Sequence, residues 1–365
     1  MALTLPFPNR HSGLISWLTS IYTGYFANKK RLRWIDYARG IAILMVVYGH
    51  LVGGVNRAGA SIDATLLLIP ATLYNFRMPL FFFVSGLFLA RSLTKRGPTG
   101  FIHNRFSTIL WPYLLWGALQ IGTQILLSGQ TNSKKDASHF LYLFYDPQKT
   151  DQFWYLAALF NVALAFVLTY QVFRIRGIWQ IALGLTFRFL SDYLEGFSLL
   201  HNFMYFYVFS AVGYNMSQLI LEKNALEKAL KSGWTLALIP VFLVGQWYWF
   251  THKDDIPTML HMGIAFVGMV VIIFVCYLLG KRDSLPVLRF IGYHSLYIYL
   301  VHVFIISGTR IGFNALGITN VPVILLTGFI LGVGLPILFF HLAMRLGGWF
   351  LFSFDRKEME TYPTM

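Results

Sequence analysis

The 365-residue sequence has one cysteine, Cys276, and few charges, with only 12% of its residues Asp, Glu, Lys or Arg. A single cysteine excludes a disulfide framework, a cysteine-ligated zinc site and an iron–sulfur cluster. Globular proteins in water usually carry about 25% charged residues. Half that share, together with a mean hydropathy of +0.59, excludes an ordinary soluble enzyme. Residues 1–33 show no basic start followed by a small-residue cleavage site, so no secretory signal is predicted there. No long repeat, low-complexity tract or Gly-rich phosphate loop stands out. Acidic residues are few, 15 against 29 basic ones, and the formal net charge is +14. In a soluble chain that excess would suggest nucleic-acid binding; in a membrane chain its meaning depends on where the charges fall.

What the sequence has instead is apolar and aromatic residues in long runs, 56% and 18% of the chain. A helix that crosses a bilayer needs about 20 mostly apolar residues. Ten such runs are found, at roughly 34–55, 64–90, 106–128, 153–173, 178–195, 198–221, 234–251, 257–280, 287–308 and 318–343. They predict an all-α integral membrane protein, a single bundle of about ten transmembrane helices over 34–345. A cytoplasmic or interfacial segment (1–33) would precede it and a cytoplasmic interfacial tail (346–365) would follow. The second run contains Asn75, Arg77 and Pro79, which predict a kink or a short preceding segment. The fifth, interrupted by Arg188 and Asp192, is the weakest. Residues 14–26 fit an amphipathic surface helix with Trp17 and Tyr22 at headgroup depth. Given ten spans, nineteen of the 29 basic residues share the side of the N-terminus. The other side holds Arg57, Lys134, Lys135, Lys149, Lys253 and Arg310, while Arg39, Arg77, Arg188 and Arg289 lie within or at the edge of spans. By the positive-inside rule both termini are cytoplasmic.

Ionisable groups inside spans are costly and are candidates for function. In the first run Arg39 and His50 are 11 positions apart. That spacing is about 1100° of helix, within about 20° of three full turns, so the two share a face about 16 Å apart along the axis. An arginine near the membrane surface can take phosphate by forked hydrogen bonds, and a deeper neutral histidine can take a proton from an attacking hydroxyl. An extended phosphate-bearing donor such as an acyl-coenzyme A would fit that separation. Equally, Arg39 can snorkel to the headgroups and His50 can hydrogen-bond a neighbouring helix. Arg77, beside Pro79, would line a cavity as an oxyanion or phosphate contact, or pair internally with Asp63, Asp192 or Glu195. Ser295, Tyr299 and His302 share a face of the ninth run, as pocket lining or as an interhelical network.

The run from Arg39 to His50 resembles the Arg-x10-His signature of the bacterial membrane acyltransferase family 3. Further landmarks follow in family order: NFRMPLFFFVSG over 75–86, a basic loop into WPY at 101–113, FWYL at 153–156 and IGYHSLYIYLVH at 291–302. The wording around Arg39 is most similar to the fucose 4-O-acetylase-like branch. The resemblance implies an O-acetyltransferase of the bacterial inner membrane, moving an acetyl or other short acyl group from cytoplasmic acetyl-CoA to a sugar of a cell-surface or exported polysaccharide or glycolipid. A polysaccharide export machinery would be a partner, and nucleic acid would not. His50 and Arg39 would be catalytic. Arg77, Asn75, Ser295, Tyr299 and His302 would form the oxyanion and acceptor pocket. Arg39, Arg91, Lys95, Arg96, Arg105 and Arg289 would meet the donor's phosphates, although the Arg-x-x-Arg of some members is not present in this loop. The rival class is a transporter or flippase for a lipid-linked saccharide, which inverted repeats would favour; none is seen. His201, His261, His294 and His341 have no metal-ligand spacing, so no metal is expected.

Overall fold

In a bilayer every backbone N–H and C=O must be paired within the protein, which leaves helices and closed barrels as spanning structures. A computed structural model describes residues 19, 22–26, 32–72, 74–129, 135–223, 225–231, 233–252 and 255–360. Among them 87% of residues are helical and no strand occurs. Six helical stretches are long and apolar enough to cross a membrane: Arg33–Arg57, Tyr74–Leu126, Pro147–Val172, Thr258–Arg282, Ser295–Ala315 and Val321–Arg345. A bent pair spanning Ala225–His252 makes up to seven.

Helix α1 (Arg33–Arg57) is the spine and touches helices from both halves of the chain. A short α2 (Ala64–Thr72) precedes the long α3 (Tyr74–Arg105), so the irregularity expected near Pro79 lies ahead of it. Within α3 the break comes at Gly97, with φ 69° and ψ 170°, a conformation that glycine adopts without a Cβ penalty, just before Pro98. A π-helical turn at Phe106–Leu110 leads into α4 (Trp111–Leu126). After it come α5 (Trp154–Val167), α6 (Ile178–Ser191) and α7 (Ser198–Leu221). Helix α6 has 14 residues. At 1.5 Å per residue that is about 21 Å, short of a hydrocarbon core about 30 Å thick. Its Arg188 is satisfied locally, 2.5 Å from Asp192 and over the Tyr205 ring at 4.2 Å. The later helices are α8 (Ala225–Lys231), α9 (Leu238–His252), α10 (Thr258–Arg282), α11 (Pro286–Tyr293), α12 (Ser295–Ala315) and α13 (Val321–Arg345). The ninth apolar run is thus two helices, broken at His294, which seals the break by bonding its Nδ1 to the Phe290 carbonyl at 2.9 Å.

Small residues set the helix spacing. A Cβ on Gly292 of α11 would overlap the Asp36 carbonyl and the Gly40 amide of α1, and one on Gly40 would overlap the Leu288 carbonyl. Helices α3 and α7 touch in the same way at Gly86 and Gly213, where the Ser210 hydroxyl also donates to the Phe82 carbonyl at 3.0 Å.

Two terminal segments tie into the bundle more deeply than surface placement predicts. Of residues 14–26, Thr19 and 22–26 are among the described residues, while Trp17 lies outside them. Tyr25 is buried against Tyr293 and donates to Asp36 at 2.9 Å. The tail after α13 re-enters the core: Phe352 is 1% exposed and packs on Phe340, Tyr297 and Trp116. The Trp111 and Trp116 indoles donate to the Phe350 and Leu351 carbonyls, both at 2.7 Å. A final turn, α14 (Arg356–Glu360), follows.

Gly292→Ala is expected to lower the thermal unfolding midpoint of the detergent-purified protein, because the new methyl meets backbone on a facing helix. Gly334→Ala on α13, where a Cβ meets nothing within 4 Å, is the matched control. It should leave the midpoint unchanged or raise it, since alanine is favoured over glycine in a helix by roughly 0.5–1 kcal/mol.

Candidate functional site

Helix α1 carries Arg39 near its start and His50 eleven residues on, so the two stand about 16 Å apart along the axis. Three other helices, α3, α5 and α12, then bring side chains to them. His302 of α12 is fully buried, and its ring lies 5.3 Å from that of His50, centroid to centroid. His302 Nδ1 is 2.9 Å from the carbonyls of Ile298 and Tyr299. Carbonyls only accept, so Nδ1 carries the hydrogen and the neutral ring presents a bare lone pair at Nε2. That Nε2 is buried and makes no hydrogen bond.

Arg77 of α3 is 8% exposed. It donates from Nη1 to the Met45 carbonyl of α1 at 3.2 Å and leaves Nε without a partner. Its guanidinium lies over the Tyr74 ring at 5.0 Å and within electrostatic reach of His50, His302 and Tyr299. Of its three candidate internal partners, Asp192 binds Arg188, Asp63 accepts from the Thr65 amide and Glu195 is exposed. Tyr299 donates to the Gln152 carbonyl and packs edge-on to Tyr155 at 5.5 Å. Tyr155 in turn lies within reach of Arg39 and Arg105. Polar side chains thus line up inside the apolar bundle from Arg39 and Arg105, past Tyr155 and Tyr299, to Arg77, His302 and His50, and form a seam.

The seam divides the residues singled out in the sequence. Arg39, His50, Arg77, Tyr299 and His302 belong to it. Ser295 lies seven residues before His302 on α12, about 10 Å along the axis and nearer the His294 break. Asn75 does not share the Arg77 space: two residues is about 200° of helix, so the two project from opposite sides of α3. Arg289 is 6% exposed, ion-paired to Asp283 and covered by Phe26, whose ring centroid is 4.5 Å from its guanidinium. Its position is that of a brace between α11 and the loop after α10, with Arg33 on the same carboxylate at 3.3 Å. Among the basic residues of α3, Arg91 and Lys95 are exposed. Arg105 is held over the Phe101 ring with Nε unpartnered. Arg96 meets Glu358 of α14 at 3.7 Å, and the Asn104 amide donates to the same carboxylate at 2.7 Å.

Three of these participants carry no distinguishing mark in the sequence. Tyr155 lies within the FWYL motif without being distinguished in it; Gln152 contributes a carbonyl, which no side-chain pattern reveals; Glu358 sits in a tail with no periodic signal. His294 and His341, far apart in sequence, approach to 2.9 Å between their Nε2 atoms. They remain a pair, and no cluster of three or more His, Cys, Asp or Glu able to hold a metal occurs among the described residues.

Such a seam can do two things chemically. The guanidiniums at one end suit an anion, and the paired imidazoles at the other suit proton transfer. Comparison with curated proteins and with solved structures found no match. Comparison with protein families did: residues 32–341 match the model of an acyltransferase domain, acyltransferase 3, a stretch that contains the whole seam. The chain therefore belongs to the acyltransferase 3 family and is a multi-pass membrane acyltransferase.

Proposed function

We propose that this protein is an O-acyltransferase that moves an acetyl or other short acyl group from acyl-CoA to a sugar hydroxyl. The acceptor is a cell-surface or exported polysaccharide or a glycolipid, as in the fucose 4-O-acetylase-like branch, and a polysaccharide export machinery is a partner. The setting is a bacterial inner membrane, with about ten spans and both termini cytoplasmic; nineteen of 29 basic residues on one side support that orientation. The observation that carries the reading is the unpartnered Nε2 of buried His302, whose ring lies 5.3 Å from that of His50, in a seam whose other end holds Arg39 and Arg105.

In this reading the donor's phosphates meet Arg39 and the basic segment of α3, and its thioester extends along the seam. The acceptor hydroxyl oxygen attacks the thioester carbonyl while His50 takes its proton. Arg77, with an unspent Nε–H, steadies the oxyanion. Collapse breaks the C–S bond, the sulfur leaves as thiolate, and the proton held on His50 passes to it. Ester and free coenzyme A are the products, and the imidazole is restored. His302 accepts only through Nε2, so it orients His50 or holds the attacking hydroxyl; Tyr299, bound to Gln152, keeps α12 against α5.

In membranes containing His50→Ala, acyl transfer and thiol release from acetyl-CoA are expected to fall about 10²–10⁴-fold, the range for loss of a general base. Arg39→Ala should act mainly through a raised KM for acetyl-CoA, and Arg39→Lys should restore it incompletely, because a point charge cannot replace a fork. Undiminished product at normal protein level would overturn the mechanism; absence of thiol release from the wild-type protein would instead favour a saccharide transporter.

Glu358 provides a second test. Its carboxylate occupies Arg96 and Asn104, where donor phosphates are assigned. Glu358→Gln should lower the KM for acetyl-CoA by about two- to fivefold, the worth of a partly exposed ion pair, with kcat unchanged. The difference should shrink at high salt.

A further inference from the structure

At the start of α3 lies a cavity of about 450 Å³, bordered by α5, α7 and α10 and by the loop before α5. Asn75, which lines it, and Arg91 are 16 residues apart on α3, about 24 Å. The cavity is therefore at the opposite end of the bundle from the basic segment. Neither His50 nor Arg77 borders it, but Tyr74, which does, lies under the Arg77 guanidinium.

The lining has two parts. One is a wall of side chains that satisfy one another. The Ser198 hydroxyl donates to Asp146 at 2.5 Å and accepts from the Gln148 backbone N–H at 3.0 Å; Lys149 neutralises Asp146 at 3.0 Å; the Asn202 side-chain amide donates to Gln148 Oε1 at 3.1 Å. The other part is unsatisfied. Asn75 is 5% exposed, and neither its amide nitrogen nor its carbonyl oxygen has a hydrogen-bond partner. A buried amide with both ends idle costs roughly 1–3 kcal/mol, which a ligand offering a donor and an acceptor together would recover. Beside it Trp154 is stiffened by stacking on Phe206 at 5.6 Å. Glu195 is exposed at the rim, and Lys149 is already paired with Asp146, so the balance of charge disfavours an anion.

An idle amide, a fixed indole, further planar amides and no spare cation fit a small neutral ring that carries adjacent hydroxyls and an apolar face. The volume lies within the roughly 300–1,000 Å³ typical of small-ligand sites. We propose that this cavity is a saccharide subsite that holds one uncharged sugar ring beside, rather than at, His50. Asn75 reads a hydroxyl pair and Trp154 covers the ring face. The proposal rests on the reading of a sugar acceptor given above. It adds that recognition of the glycan lies partly outside the reaction centre, so a neighbouring ring and not only the acylated one is selected.

The test reads binding, separately from catalysis. The full chain, purified in a detergent without a sugar headgroup, is examined by saturation-transfer NMR with methyl glycosides of common hexoses and 6-deoxyhexoses. Methyl glucuronide serves as the anionic probe. Wild-type and His50→Ala proteins should both show transfer to at least one neutral glycoside. Asn75→Leu and Trp154→Ala should lose it about tenfold, since a site built on hydrogen bonds discriminates strongly once they are removed. Asn75→Leu removes two idle polar atoms and should unfold no earlier than wild type, which separates lost binding from lost folding. No neutral glycoside signal on folded wild-type protein, signals unchanged in both variants, or stronger binding of the glucuronide would each overturn the proposal. Acyl transfer that fails while glycosides still bind would count against the reaction alone, because His50→Ala keeps the subsite.

Discussion

A polar group without a partner in hydrocarbon costs several kcal/mol, and no water is at hand to reduce it. That constraint makes the chain helical, and it also decides where its polar side chains collect. Most are silenced by the nearest backbone or by each other. Arg188 folds onto Asp192 four residues on, Gln180 closes on Thr169 and the Ile175 carbonyl, and His294 bonds the carbonyl one turn behind it. Against that background the buried atoms left idle are informative, since the fold had local means to satisfy them. Among them Arg77 Nε, Arg105 Nε and His302 Nε2 belong to one seam, and Asn75, with both amide atoms idle, lines one cavity.

The seam exists because helices can approach α1 closely. Gly40 against Gly292 brings α11 onto its first half, and Gly328 and Gly332 bring α13 against Leu51 and Val47 in its second half. With the backbones this near, α12 follows α11 at a fixed angle set by the His294 break. His302 then arrives beside His50 while Tyr299 reaches the loop before α5. Small residues thus help to set the distance between the imidazoles, since a wider helix spacing would part them.

The sequence made much of this legible, for identifiable reasons. Long apolar runs mark helices because length and hydropathy are local properties, and the Arg39–His50 spacing is read directly because both lie on one unbroken helix. The break at His294 was hidden, since IGYHSLYIYL is apolar and aromatic on both sides and the stop is made by a side chain bonding its own backbone. Arg289 carried the same ambiguity as every buried arginine. Its partner Asp283 is only six residues away but lies across a turn whose left-handed residues, Asp283 and Leu285, no pattern predicts. The aromatics of the tail suit a headgroup region and predict an interfacial segment. Phe352 is instead taken up by a hole between Tyr297, Phe340 and Trp116, residues contributed by three other helices. Tertiary complementarity of that kind has no local trace.

In the proposed function Arg39 meets the donor and Asn75 the acceptor glycan, and their separation along the bundle has a consequence for the chemistry. In that reading a donor held by its phosphates near Arg39 and an acceptor held near Asn75 meet at the depth of Arg77 and His50. Among the described residues the bases at that depth are two imidazoles, one of which has its hydrogen fixed by two carbonyls. Fixing His302 removes one tautomer from the pair and so removes one way for His50 to be misoriented when the two rings interact. The same water-poor setting that makes polar groups expensive strengthens the field of Arg77 on any charge that develops nearby. An arrangement that would be a liability in a structural core is in this way suited to a short-lived anion flanked by a base.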